Sequence, residues 1–115
     1  MKYENLTIRE ASLMINNKVA SFLKEHSEIK EKLEQDGEEF QNNAGDIDVY
    51  RIDCKAYADD NPSQQSVYAE GLIDLYAKNN EVTSAEFKAC LTWDCDEEEF
   101  TEVTSFTSIN DIDYE

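Results

Sequence analysis

The clearest pattern along the chain is a strict alternation of apolar and polar residues between Ser84 and Cys95. A period of two is typical of a strand that buries one face. Stretches of similar length lie on either side, at residues 67–77 and 100–109, and short polar connections join them to it. The pattern therefore predicts the central strand of an antiparallel meander. Its apolar positions are Ala85, Phe87, Ala89, Leu91 and Trp93.

The first third of the chain has a helical period instead. Thr7 and Glu10 stand at the spacing of a capping box, which marks the start of a helix. Apolar side chains then recur every three or four residues as far as Leu33. This predicts one amphipathic helix over residues 7–36, with a break at Ser27 as the alternative.

Two further stretches complete the predicted sheet. Residues 47–58 alternate and form the first strand, with Tyr50, Ile52, Cys54 and Ala56 on one side. Residues 64–78 fit either a helix that begins after Asn61 and Pro62 or a strand. We favour the strand, because Gly71 would cost about 1 kcal/mol inside a helix and the flanking strands need a partner between them.

The connections set the register. A three-residue loop over residues 79–81 would pair Leu75 with Ala85 and Ile73 with Phe87. In the last strand, either of two pairs of apolar residues could face the core, because the alternation fits both. The two pairs are Phe100 with Phe106 and Val103 with Ile109. We expect the tail, residues 110–115, to be frayed.

These elements predict a single α+β domain over residues 1–115. An N-terminal amphipathic helix packs across a four-stranded antiparallel meander that spans residues 47–109. In outline this arrangement resembles the cystatin-like and nuclear-transport-factor-like folds. Fold alone does not assign function.

The charge is large and unevenly placed. The 115 residues carry a net charge of −17. Residues 1–37 hold seven acidic and six basic side chains, whereas the remaining 78 residues hold twenty acidic and four basic ones. Such a surface repels nucleic acid and anionic membranes, so we exclude both as direct partners. We expect a basic protein as the partner.

Sorting signals and cysteines indicate the compartment. No apolar run at the start is typical of a signal peptide, and no stretch has the length of a membrane span. The three cysteines, Cys54, Cys90 and Cys95, form an odd set without C-x-x-C spacing, which fits reduced thiols. We expect a cytoplasmic protein, in the host cytosol if a phage encodes it.

Candidate catalytic and metal sites are weak. His26 is the sole histidine, and its helical position predicts a partly buried packing residue rather than a base. A zinc site of His26 with the three cysteines fails, because Cys90 points away from Cys54 and Cys95 on the predicted sheet. The spacing of Asp94, Asp96 and Glu98 suggests calcium but lacks the glycine and the terminal glutamate of a calcium loop. We expect no enzyme activity, no metal and no cofactor.

Two surfaces remain as candidate partner sites. In a meander the first and third connections lie at one end of the sheet, about 10 Å apart. That end would gather seven carboxylates: Asp59, Asp60, Asp94, Asp96, Glu97, Glu98 and Glu99. The sheet face away from the helix would show Tyr57, Tyr68, Leu72 and Tyr76. Because tyrosine is enriched in interfaces, a partner or a second copy of the chain could cover this face.

The favoured hypothesis is a non-enzymatic inhibitor that occupies the basic nucleic-acid-binding surface of a nuclease or effector complex. Carboxylates offer Arg and Lys the same charge-assisted contacts as phosphates. In size and acidity the chain resembles phage-borne nucleic-acid mimics, such as anti-CRISPR and anti-restriction proteins. The alternatives are an immunity protein against a basic toxin nuclease, for which a neighbouring toxin gene would be diagnostic, a small ligand-binding protein or enzyme with a pocket between helix and sheet, and a structural dimer.

Overall fold

A computed structural model describes residues 1–58, 61–108 and 112–115, with the side chains of residues 1–35, 37–54, 63–108 and 112–115. Two helices precede a sheet in which every neighbouring pair of strands is antiparallel. The helices are α1 (Ile8–Glu25) and α2 (Ser27–Leu33). The strands are β1 (Ile47–Ala58), β2 (Asn61–Tyr76), β3 (Val82–Asp94), β4 (Glu99–Ser108) and β5 (Ile112–Tyr114), and they lie in the sheet in chain order. Short 3-10 turns occupy Tyr3–Asn5, Gln35–Gly37 and Ala44–Asp46.

The α+β prediction is confirmed, with five strands instead of four. The tail was expected to fray, and this prediction is wrong for β5, which pairs with β4 over residues 106–108. Ile112 supplies the reason, because it is buried in the same core as Phe106. An apolar side chain near the end of the chain therefore stabilises one more strand.

The start of α1 is the predicted capping box. The Thr7 hydroxyl accepts a hydrogen bond from the Glu10 amide at 3.1 Å, and the Glu10 carboxylate accepts one from the Thr7 amide at 3.2 Å. One continuous helix over residues 7–36 is wrong, because His26 leaves the helical conformation and α2 begins at Ser27. This is the break that the sequence offered as an alternative. It lets α2 turn so that Ile29 and Leu33 are buried.

Residues 64–76 form a strand, as favoured, but the register with β3 differs from the prediction by two residues. Ile73 pairs with Ala85 and Gly71 with Phe87. The connection spans residues 77–81 instead of three residues, and Asn80 adopts a left-handed φ of 66° within it. A shift of two residues keeps every side chain on its predicted face, because the period of a strand is two.

Two irregularities in β4 decide its core face. The ladder with β3 skips one residue of β4 between Phe100 and Glu102 and another between Val103 and Ser105. Each skipped residue is a β-bulge that shifts the alternation by one. Phe100 and Phe106 are both buried, as one of the two alternatives predicted. Val103, from the other pair, is buried as well because of the bulges, and Ile109 lies outside the described residues.

A similar bulge interrupts β1. Val49 pairs with Gly71 and Arg51 with Glu70, so Tyr50 is the extra residue. Tyr50 is consequently 56% exposed, although the sequence placed it on the same side as Ile52 and Cys54.

The core lies between α1 and one face of the sheet. Residues of α1 that repeat at helical spacing meet the alternate residues of the central strands, and all of these are at most 1% exposed. They include Ile15, Val19, Leu23, Val67, Ala69, Ile73, Phe87, Leu91 and Trp93. Neither described helix combines the length and apolarity needed to cross a bilayer.

Candidate functional site

The acidic turn, defined here as residues 94–99, links β3 to β4 and holds a fixed conformation. The Asp94 carboxylate accepts hydrogen bonds from the amides of Asp96 at 2.8 Å and Glu97 at 3.0 Å. Glu98 adopts a left-handed φ of 55°. The Cys95 amide also donates to the Ser63 carbonyl of β2 at 2.7 Å. The carboxylates of this turn therefore project from an ordered frame.

The acidic residues of the turn differ in exposure and in role. Asp94 is half-buried and organises the turn, whereas the next four acidic side chains are exposed. The amino group of Met1 lies 3.4 Å from the Glu98 carboxylate and donates a hydrogen bond to the Cys95 carbonyl. The exposed four are Asp96, Glu97, Glu98 and Glu99.

The predicted partners of this turn, Asp59 and Asp60, lie outside the described residues. The residues that flank them are described: Ala58 pairs with Asn61 at the end of β1 and β2. Gln64 of β2 pairs with Asp94 of β3. The first and third connections of the sheet thus begin at the same end, as a meander requires.

The tyrosine face, defined here as Tyr68, Leu72 and Tyr76 of β2, points away from α1 as predicted, and the side chain of Tyr57, predicted on the same face, lies outside the described side chains. These three half-buried side chains alternate with the buried ones of the same strand. The Tyr68 hydroxyl donates to the Glu70 carboxylate at 2.5 Å, and the Tyr76 hydroxyl donates to Asp46. Each hydrogen bond, with burial and the nearby negative charge, raises the pKa of its tyrosine to about 12.

Charged side chains surround the tyrosine face. The Arg51 guanidinium lies 3.1 Å from the Asp53 carboxylate and 3.9 Å from that of Glu70. The Asp46 side chain is buried, and its second carboxylate oxygen has no hydrogen-bond partner among the described residues. The tyrosines are therefore held by carboxylates, and their hydroxyls already have acceptors.

Sequence reasoning missed a buried polar cluster around Gln65, which is 1% exposed. Its amide oxygen accepts from the Tyr3 amide at 2.9 Å, and its amide nitrogen donates to the Glu4 carboxylate at 3.0 Å. The Trp93 indole donates to the Met1 carbonyl at 3.0 Å. These contacts fix residues 1–5 over one end of the core. The available signal was a glutamine in the apolar phase of β2, two residues before Val67.

The cysteines divide between the two sides as expected. The thiols of Cys54 and Cys95 lie 3.5 Å and 3.4 Å from the Gln65 amide group, whereas Cys90 is on the outward side of β3. Burial, with the Glu4 carboxylate and the Cys95 thiol, raises the pKa of Cys54 to about 11. Within the described ranges, no three Cys, His, Asp or Glu side chains come together as a metal site.

His26 lies where the sequence placed it, partly buried at the border of the core. Its ring packs against Phe22, with ring centroids 4.3 Å apart, and against Tyr114 at 4.9 Å. Its Nδ1 atom lies 2.9 Å from the Phe22 carbonyl. These contacts give the ring a packing role at the junction of α1, α2 and β5.

Comparison of the chain with protein-family models, with curated proteins and with solved structures finds no match.

Proposed function

We propose that the chain is a non-enzymatic acidic inhibitor that binds the basic nucleic-acid-binding surface of another protein, such as a nuclease or an effector complex. The observation that carries the proposal is the acidic turn. Four consecutive exposed carboxylates project from a frame that Asp94 and the backbone hold in place. A preorganised group of charges loses less conformational entropy on binding than a flexible acidic tail.

Charge determines which partner fits this surface. The turn belongs to the part of the chain after residue 37, in which acidic side chains outnumber basic ones by twenty to four. Arg and Lys side chains that normally contact phosphates make equivalent charge-assisted hydrogen bonds to carboxylates. Binding would then compete with nucleic acid for the same basic groove, and it would weaken as salt screens the charges.

The first experiment identifies the partner. The immobilised protein is incubated with nuclease-treated lysate of the host, and bound proteins are eluted with increasing salt. We expect a basic nucleic-acid-binding protein that is released by salt and displaced by added DNA. Recovery of the protein alone, or of partners that resist both salt and DNA, would contradict the proposal.

The second experiment locates the site. Asp96→Asn, Glu97→Gln, Glu98→Gln and Glu99→Gln are combined, because Asp94 organises the turn and stays unchanged. The control combines Glu28→Gln, Glu31→Gln, Glu81→Gln and Glu115→Gln, four exposed residues away from the turn that change the net charge equally. We expect the turn variant to lose affinity for the captured partner by at least about tenfold more than the control. Equal losses would show that net charge acts without the turn.

A further inference from the structure

Ile8 occupies an unusual position at the first residue of α1. It lies on the same helical stripe as Ala11, Ile15 and Val19, which are at most 2% exposed, yet Ile8 itself is 83% exposed. Ile8 instead lines an open cleft together with residues of β1. The first turn of α1 therefore lies at the border of the core, next to the edge strand β1.

Beneath Ile8 is a cleft of about 290 Å³ that runs along the sheet edge. The side of α1 contributes Ile8 and Ser12, and β1 contributes four consecutive residues. Val49 forms a buried part of the cleft, and Tyr50, which the bulge turns outward, is 56% exposed. The four residues of β1 are Val49, Tyr50, Arg51 and Ile52.

The backbone beside this cleft is unpaired on one side. β1 is the first strand of the sheet, and among the described residues it pairs with β2 alone. An edge strand presents N–H and C=O groups to which an extended peptide can add as a further strand, while alternate side chains enter neighbouring pockets. An apolar cleft next to a free edge is the arrangement that such binding uses.

The charge of the β1 edge indicates which kind of segment could bind in the cleft. A second copy of the chain would carry the same net charge of −17, and the repulsion between the two molecules opposes pairing between copies. Asp48 and Asp53 are exposed on β1 before and after the cleft. Arg51 between them lies 3.1 Å from the Asp53 carboxylate and 3.9 Å from that of Glu70, so this region holds three carboxylates and one guanidinium. The edge therefore favours a segment with basic residues on either side of an apolar one.

We propose that the cleft between Ile8 and β1 binds an extended apolar and basic segment of the partner protein, which adds to β1 as an edge strand. The proposal rests on the proposed function, since it takes the partner to be basic. The two proposals concern different sites: the cleft lies between α1 and β1, whereas the acidic turn lies on the connection between β3 and β4.

The test uses a fluorescent nine-residue peptide in which three valines alternate with lysine and threonine, and a control peptide in which serine replaces each valine. Fluorescence polarisation at about 0.1 M salt measures binding, so that charges beyond about 10 Å are screened. Ile8→Gln removes the apolar wall of the cleft without changing the charge. Leu13→Gln is the matched control, because Leu13 is also an exposed aliphatic residue of α1, at 58%, and does not line the cleft.

We expect the valine peptide to bind the wild-type protein and the Leu13→Gln variant equally, and to bind Ile8→Gln at least about tenfold more weakly. Equal binding of the valine and serine peptides, equal affinities of the two variants, or no binding to the wild type would each overturn the proposal. N-methylation of alternate peptide amides tests the strand pairing, because only one of the two methylated sets should abolish binding. Equal effects of both sets would also overturn it.

The captured partner separates this proposal from the proposed function. If the turn variant loses the partner and Ile8→Gln retains it fully, the cleft proposal fails and the acidic turn stands. If Ile8→Gln loses the partner while the turn variant retains it, the cleft is supported and the proposed role of the turn fails.

Discussion

Gly71 of β2 lies directly opposite Phe87 of β3, and the Phe87 ring fills the space that a side chain at position 71 would need. A Cβ atom on Gly71 would lie 2.6 Å from Cε1 of Phe87 and 2.6 Å from the Asp48 carbonyl of β1. Both distances are too short for carbon. The glycine that weakened a helical interpretation of this stretch is thus the residue that lets β1 and the Phe87 ring approach β2.

Gly71→Ala should lower the free energy of unfolding by about 1–3 kcal/mol, because the added methyl group displaces a buried ring or the backbone of β1. Urea unfolding followed by circular dichroism measures it. Gly45→Ala is the control, since a Cβ atom there meets nothing within 4 Å. Its effect should stay within about 0.5 kcal/mol. Similar losses for the two variants would contradict the packing described for Phe87.

Gln65→Leu should lower the free energy of unfolding by about 1–3 kcal/mol, because it leaves the Tyr3 amide and the Glu4 carboxylate without their buried partner. It should also speed hydrogen exchange at the Tyr3 amide, which mass spectrometry or NMR can follow. Gln64→Leu, one residue away on the opposite side of β2, is the control. Unchanged exchange at Tyr3 in Gln65→Leu would show that residues 1–5 are held by other contacts.

Alkaline pH should destabilise the protein through Tyr68 and Tyr76. Their pKa values are raised from 10.0 to about 12 by hydrogen bonds to carboxylates, so the folded state keeps protons that the unfolded state releases. This contribution to stability is complete below pH 10 and is lost as the pH rises to about 12. Chemical denaturation at several pH values measures the decline.

The double variant Tyr68→Phe and Tyr76→Phe is the control for that decline. Because it removes both hydroxyls, it should lose less stability than the wild type over the same pH interval. Ultraviolet absorbance of tyrosinate should show two fewer late-titrating groups. Parallel curves for the two proteins would assign the alkaline loss to other residues.

Cys54 should react slowly with iodoacetamide. Its pKa is raised from 9.0 to about 11, and only the thiolate is nucleophilic. Near pH 8 the raised pKa lowers the thiolate fraction about a hundredfold, but the remaining thiolate is more nucleophilic, so we expect alkylation at least about tenfold slower than for a thiol of ordinary pKa. Peptide mass spectrometry gives the rate. Glu4→Gln should accelerate it by removing a nearby negative charge, and an unchanged rate would contradict that cause.

The local elements of the fold were predictable because their signals lie close together in the chain. The capping box joins Thr7 to Glu10 three residues later, and the alternation from Ser84 to Cys95 needs no distant partner. Gly71 favoured a strand over a helix because glycine destabilises the interior of a helix. The acidic turn was predictable as an exposed run of carboxylates for the same local reason.

Tertiary contacts decided what local patterns left open. Phe100, Val103 and Phe106 are three residues apart, a spacing that fits one face of a strand only if bulges intervene, and the pairing of β4 with β3 supplies them. At the break between α1 and α2, the His26 ring packs against Tyr114 from the other end of the chain, a contact that no local pattern indicates.

The sequence by itself determined the secondary structure of the main elements, the face of β3 that is buried and the sign of the surface charge, because period and composition are properties of neighbouring residues. Only the tertiary structure decided the Gln65 cluster and the open cleft beneath Ile8. Both depend on where segments distant in the chain meet: residues 1–5 with β2, and the first turn of α1 with β1.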